Sequence, residues 1–249
     1  MSAILSNDWY ISANQYDIGP SSGTATEYQK TNAQNVYDTF SGSWSLVAIA
    51  GMLGNMMYES CLDPACVYPK SSFPNGGATL EDISNQYALP RTDPAYGLVQ
   101  WKGLGSTEPI GNQLVSYAYR HGSEWYEGQI QMDRLTWEYE SESKWHPQTI
   151  DGVRWTFASY ASNTTLTPER AAYIFMTCYE GTYSVVDIRG ANARYWYDYF
   201  SGAPGPGPGP GPGPGPGPGP TPPDPGPGFD LDDILFIKRV FIDKNHNLW

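Results

Sequence analysis

Glu59 closes the apolar, small-residue run "WSLVAIAGMLGNMMY" and is followed at once by Ser60, Cys61 and a turn-like Leu-Asp-Pro. Trp44, Val47, Leu53 and Met57 recur near helical spacing with few polar positions between them, so the spacing predicts a largely buried helix. Ser41 or Ser43 stands where an N-cap belongs, and Pro64 stops the helix soon after Glu59. A glutamate there meets the negative end of the helix dipole and apolar neighbours together, and both favour its protonated form. The chemistry this implies is proton donation by a general acid.

Two further stretches carry suitable groups. "DPAYGLVQWKG" sets Gly97, Leu98 and Gln100 in a turn flanked by Tyr96 and Trp101. There a glycine lets backbone approach a ligand, a carboxamide reads its polar groups and two rings offer stacking surface. "MTCYEGTY" adds Tyr179, Glu180 and Tyr183 where a late helix ends, and Arg189 beyond it is placed to pair with Asp187 or Glu180.

The elements that must position these groups read as mainly helical. "TATEYQKTNAQNVYDTF", "TLEDISNQYAL", "EPIGNQLVSYAYR", "GQIQMDRLTWEYES", "DGVRWTFASYAS", "TPERAAYIFMTCYE" and "IRGANARYWYDYF" all read as helices. Thr167 caps the sixth of these, with Pro168 at its first position. Strand signals are weak. A short hairpin is expected between Asp63 and Phe73 or at the glycine-rich Asn75 to Ala78, giving a predominantly helical α+β domain.

Strict Gly-Pro alternation from Gly205 to Pro220 buries nothing and removes every second amide donor, so residues 204–228 form a linker. It divides an N-terminal segment (1–25) and a catalytic domain (26–203) from residues 229–249, which read as the start of a second domain or a docking segment. The 249 residues, 40% hydrophobic and 14% aromatic, suffice for one sizeable core plus such an appendage. Nine Trp and nineteen Tyr suit either a dense core or a cleft lined with rings.

A net charge of -12 with only 14 scattered Lys and Arg argues against nucleic acid as a partner. No run reaches the length of a membrane span, and the first fifteen residues lack the basic start and apolar core of a signal peptide. Cys61, Cys66 and Cys178 define no framework, and a Cys61–Cys66 bridge or free thiols remain equally open. His121, His146 and His246 show no zinc spacing, so no metal site is expected. The chain has no G-x-S-x-G elbow and no phosphate-binding glycine loop.

"GNMMYES", then "AYGLVQW" some forty residues on, then the late "TPERAAYIFMTCYE" helix, resembles the phage tail lysozyme family from Val36 to Phe200. Goose-type lysozymes and lytic transglycosylases share a similar order. The resemblance implies a lysozyme-like fold and a muramidase that cuts the β-1,4 bond between N-acetylmuramic acid and N-acetylglucosamine in peptidoglycan. It implies no cofactor, other tail proteins as partners, and a place in the virion. By the same resemblance Glu59 matches the proton donor, and Tyr96, Gly97, Gln100, Trp101, Tyr179 and Glu180 line the substrate site. A second carboxylate is needed for hydrolysis. Asp93, just upstream of the turn, is its first candidate, with Asp63, Glu81 and Asp82 as others; Lys102 stands where goose-type enzymes carry a further aspartate. Two alternatives remain: a lytic transglycosylase working with one glutamate, and a wall-binding or tail-assembly module without turnover.

Overall fold

A computed structural model describes residues 4–6, 8–11, 25–68, 95–102, 113–141 and 144–202. All of them lie in one unit, Met1–Gly205; a second unit, Pro206–Trp249, lies outside the described residues, and with it most of the Gly-Pro stretch. The expected helix at Thr79–Leu89 and the hairpin at Asn75–Ala78 also lie outside them.

In chain order the described elements begin with the hairpin β1 (Ile4–Ser6) and β2 (Trp9–Ile11), then α1 (Glu27–Phe40) and α2 (Leu46–Ser60). The strands β3 (Val67–Tyr68), β4 (Ala95–Tyr96) and β5 (Trp101–Lys102) form a small antiparallel sheet in the order β3-β4-β5. Next come α3 (Gln113–Arg120), α4 (Gly128–Glu140) and the hairpin β6 (Gln148–Ile150) and β7 (Val153–Trp155). The domain ends with α5 (Phe157–Ala161), α6 (Pro168–Phe175), a π-helical turn (Met176–Glu180) and α7 (Val186–Ser201). This is a mainly helical α+β domain with small antiparallel strand pairs, as expected.

Local chemistry explains the starts. Thr26 and Gln29 form a reciprocal capping box at α1, each satisfying an amide of the other. Thr167 caps α6 with Pro168 at the first position, as the sequence indicated. Helix α2 is capped by Ser45, whose Oγ accepts from the Ala48 amide, and not by Ser41 or Ser43, because α1 runs on to Phe40 and Ser41 ends it. One expected helix splits: Asp151 and Gly152, both at positive φ, form the tight turn of the β6–β7 hairpin, and helix begins only at Phe157 under a Thr156 cap. The Asp-Gly pair favours that turn more strongly than the apolar spacing favours helix.

Helix α2 sits at the centre, with twelve of its fifteen residues buried. Its two glycines explain how closely it is approached. A Cβ on Gly51 would lie 2.7 Å from the Ala171 backbone of α6, and one on Gly54 would lie 2.5 Å from the Arg189 carbonyl and 2.7 Å from Ala193 of α7. Backbone therefore touches backbone on two sides. Aromatic side chains fill the remaining space: Tyr139 stacks on Phe157 at 4.3 Å, and Trp44, Trp145, Tyr160 and Phe175 surround them edge-on or tilted. Among the described residues seven tryptophans are buried and one, Trp137, is exposed, so the aromatic wealth builds core. Trp9 of β2 packs flat over Gly128, where any Cβ would enter its ring, and so joins the N-terminal hairpin to α4. Among the described residues no helix is long and apolar enough to cross a membrane.

Gly54→Ala separates two opposing effects. Alanine improves helix propensity by about 1 kcal/mol, while a methyl driven against backbone costs about 1–3 kcal/mol and no rotamer relieves it. The clash should win, lowering Tm by about 4 °C or more in a thermal melt. Gly42→Ala, where a Cβ meets nothing within 4 Å, is the control and should leave Tm unchanged.

Candidate active site

Helix α2 ends in a left-handed pair, Cys61 and Leu62, at φ 55° and 61°. That reversal leaves Glu59 in the last turn with its side chain 21% exposed, whereas nearly everything before it is buried. The carboxylate is held by Arg189 of α7, whose Nη2 donates to Glu59 Oε1. The pairing expected for Arg189, with Asp187 or Glu180, is replaced by this one. Its Nη1 donates to Asn55 Oδ1 at 2.7 Å, one turn back along α2, and the guanidinium lies 4.3 Å from the Tyr58 ring centre. Asn55 is fixed in turn by donating to the Gly51 and Ala172 carbonyls at 2.8 and 3.0 Å. Arg189 is almost fully buried, and a cation there is tolerable only with such partners.

The Gly97–Gln100 turn is bound to the same helix end. Ser60 Oγ lies 2.9 Å from both the Met56 and the Leu98 carbonyls, and the Gly97 amide donates to the Cys66 carbonyl at 2.8 Å. Gln131 of α4, fully buried, locks both segments: its Oε1 accepts from the Leu98 amide at 2.9 Å, and its Nε2 donates to the Pro64 and Trp125 carbonyls at 2.7 and 2.9 Å. Gly97 has φ +77°, and a Cβ there would stand 2.7 Å from Gln131 Oε1, so only glycine fits. Gln100, also left-handed, donates to the Gly97 carbonyl at 2.8 Å, while its Oε1 is buried without a partner.

Not every expected residue presents a face to a ligand. Trp101 and Tyr179 are both 1% exposed and meet in the core on the buried Glu138. The Trp101 indole donates to both Glu138 oxygens at 3.1 Å, and the Tyr179 hydroxyl donates to Oε2 at 2.5 Å. Arg134 completes the cluster at 2.8 Å. Burial leaves no open ring for stacking; these two side chains hold the floor beneath the site. Tyr96 is buried edge-on against Trp125, its hydroxyl pushed up to about 12 by that burial. Gln131 and Glu138 were not foreseen. Their signal was polar side chains at core spacing in α4, with Arg134 four residues before Glu138.

Glu180 ends the π-helical turn, a rare element that often marks functional positions. Its Oε1 is buried without a hydrogen-bond partner. Burial first, then the negative charge of Glu59, raises its carboxyl from 4.5 to about 8, against the opposing pull of Arg189 and Lys144. Asp93, Glu81 and Asp82 lie outside the described residues. Asp63 is buried and caps its own turn, its Oδ1 accepting from the Ala65 amide at 2.9 Å. No disulfide joins Cys61, Cys66 or Cys178, so the Cys61–Cys66 bridge is not formed. Four non-glycine residues in left-handed backbone, Cys61, Leu62, Gln100 and Val185, flank this one region. Each costs about 1–2 kcal/mol, and such strain gathers at functional sites.

The arrangement offers two carboxyl groups in unlike surroundings, a guanidinium paired with one of them, and a rigid turn bound to the same helix end. The family model for phage tail lysozyme matches residues 31–200, which contain all of these groups. Morphogenesis protein 1 of Bacillus phage B103 is 27% identical over 160 residues, covering 64% of this chain and 36% of that protein. The chain thus spans little more than a third of the length of that curated relative.

The raised carboxyl of Glu180 fixes a sign for stability against pH. Between pH 4.5 and about 8 the folded protein keeps a proton that the unfolded chain releases. The stability this proton confers is complete below pH 4.5 and is lost as pH rises through about 8. Glu180→Gln removes that loss. Urea titrations at pH 5 and pH 8 should show the variant gaining on wild type at the higher pH by about 3 kcal/mol.

Proposed function

We propose, from the premise that the chain belongs to the phage tail lysozyme family, that it is a muramidase cutting the β-1,4 bond between N-acetylmuramic acid and N-acetylglucosamine in peptidoglycan. The observation that carries this reading is the placement of Glu59. It is the partly exposed carboxylate at the end of a buried helix, clamped by Arg189 and joined through Ser60 to the Gly97–Gln100 turn. Glu59 protonates the oxygen of the scissile bond as the sugar ring develops oxocarbenium character. The backbone of the Gly97–Gln100 turn and the Gln100 carboxamide orient the glycan beside it, and the orphaned Gln100 Oε1 is an acceptor available to an N-acetyl amide. Glu180 supplies the second carboxyl on the described side of the site, and Asp93 is a further candidate from the sequence. A neighbouring carboxyl favours hydrolysis over the single-acid transglycosylase route.

The protein acts from the virion, in the phage tail, with other tail proteins as partners. Attachment to a tail delivers it to the wall, so its acidic surface, at a net charge of -12, is no obstacle. The Gly-Pro stretch tethers the lytic domain to residues 229–249 and sets its reach.

Mass spectrometry of fragments released from purified peptidoglycan tests the reading. Wild type should give reducing muramic-acid ends, and Glu59→Gln, which still accepts from Arg189, should lower their release by about 10²- to 10⁴-fold. Anhydro-muramic ends would make the protein a transglycosylase. Absence of glycan ends from wild type would leave a binding or assembly module.

A further inference from the structure

At the opposite end of α2 from Glu59 the domain holds a cavity of about 160 Å³ that shares no residue with the site described above. Trp44 precedes α2 and Glu59 stands in its last turn, so at about 1.5 Å per residue the two lie about 20 Å apart. Four rings make the cavity walls. Tyr139 and Phe157 are parallel at 4.3 Å, Trp44 stands at 67° to the first and 62° to the second, and Phe40 stands at 77° to Tyr139. Ring faces are electronegative, and rings crossed in this way enclose a cation. The polar groups between them have one sign. Thr39 and Thr136 donate their hydroxyl protons to the Asn35 and Met132 carbonyls at 2.8 and 3.0 Å, and Ser43 donates to the Phe40 carbonyl at 3.4 Å. Each hydroxyl is left with only lone pairs to offer. Among the described residues Glu140 adds an exposed carboxylate with no hydrogen bond or ion pair, and no Lys, Arg or His lines the cavity. Helices α1 and α4 end here without a basic residue in their last turns, whereas the nearby starts of α2 and α5 are capped by Ser45 and Thr156. Helix C-termini without a basic residue favour a positive charge.

We propose that this cavity binds a primary ammonium on an unbranched aliphatic stem, the side chain of a lysine presented by another protein. An ammonium carries three donors and no acceptor, which matches a set of acceptor-only hydroxyls and an unpaired carboxylate. Its methylene stem is apolar and lies against the rings. The volume suits it, since a cavity of about 150 Å³ holds a ligand the size of benzene, about six heavy atoms, and a lysine side chain has about five beyond Cα. A partner held about 20 Å from Glu59 leaves the glycan site open. A chain of net charge -12 also draws basic partners toward it. The cavity thus anchors its ligand, and no bond is made or broken there. This binding does not depend on the muramidase reading.

Titration of the full chain with Nα-acetyl-lysine methylamide, followed by NMR at the Trp44 indole N–H, tests it. The signal should shift and saturate with a Kd in the millimolar range. Nα-acetyl-norleucine methylamide, which keeps the stem and lacks the ammonium, should bind at least about fivefold more weakly. Glu140→Gln, at an exposed position without partners, should fold as wild type does and weaken the lysine probe by about threefold or more. Thr39→Val, which removes one acceptor, should weaken it by about the same factor. Equal binding of the two probes overturns the proposal in favour of a merely apolar cavity, as does unchanged affinity in Glu140→Gln. No shift at Trp44 with about 50 mM lysine probe overturns it outright. Competition decides the source of the lysine. A lysine-bearing peptide should displace the probe better than soluble peptidoglycan fragments do. If the wall fragments displace it better, and lose that ability once their amines are acetylated, the ligand belongs to the wall and the protein partner is refuted.

Discussion

The backbone contacts of α2 set the geometry on which the rest depends. Gly51 lets α6 reach the helix and Gly54 lets α7 reach it, each at a separation that a methyl group would forbid. Because Gly54 meets the carbonyl of Arg189 itself, the contact that joins the helices also fixes where the guanidinium begins. From there it spans the two polar residues at the C-terminal end of α2, Asn55 and Glu59. An arginine buried this far is destabilising by several kcal/mol unless it is paired and hydrogen-bonded. The close packing makes that pairing unavoidable, and the pairing in turn fixes a glutamate that would otherwise wander at a helix terminus.

A second set of buried polar groups does for the turn what Arg189 does for the helix. Gln131 satisfies three backbone groups that no sheet or helix could pair, those of Leu98, Pro64 and Trp125. An irregular loop entering the core is tolerated only on those terms. Glu138 then holds Trp101 and Tyr179 from below, linking the far edge of the turn to the π-helical turn that carries Glu180. The site is thus framed by α4 on one side and by α6 and α7 on the other, with α2 running between them.

Sequence reading succeeded where the signal was local. The Thr167 cap, the apolar length of α2 with Glu59 at its end, and the glycine turn at Gly97 all follow from residues within a few positions of each other. It failed where a partner comes from far along the chain. Arg189 stands 130 residues from Glu59 and took that carboxylate in place of nearer acids, because helix packing outweighs sequence distance. Trp101 and Tyr179 looked like stacking surface because ring and polar tip are indistinguishable in a sequence from ring and buried tip; only Glu138, 37 and 41 residues away, decides between them. The Asp151-Gly152 hairpin is local too, and there the turn pair outweighs the apolar spacing beyond it.

The orphaned atoms and strained residues of the site belong to the same frame. A fold built only for stability would not leave Glu180 Oε1, Arg189 Nε and Gln100 Oε1 buried without partners, nor hold Leu62 and Val185 in left-handed backbone. Each is a free-energy cost of a kind that also occurs at Arg134 Nε, Thr177 Oγ1 and Trp196 Nε1, and at Asp8 and Asp151 in left-handed backbone, and it is set against an aromatic core where rings stack and tilt against one another. The core therefore supplies a surplus of stability that the site consumes. A buried group without an internal partner, such as Gln100 Oε1 in the Gly97–Gln100 turn, is one that a bound ligand or a water can satisfy, whereas the rings of the core need no such partner.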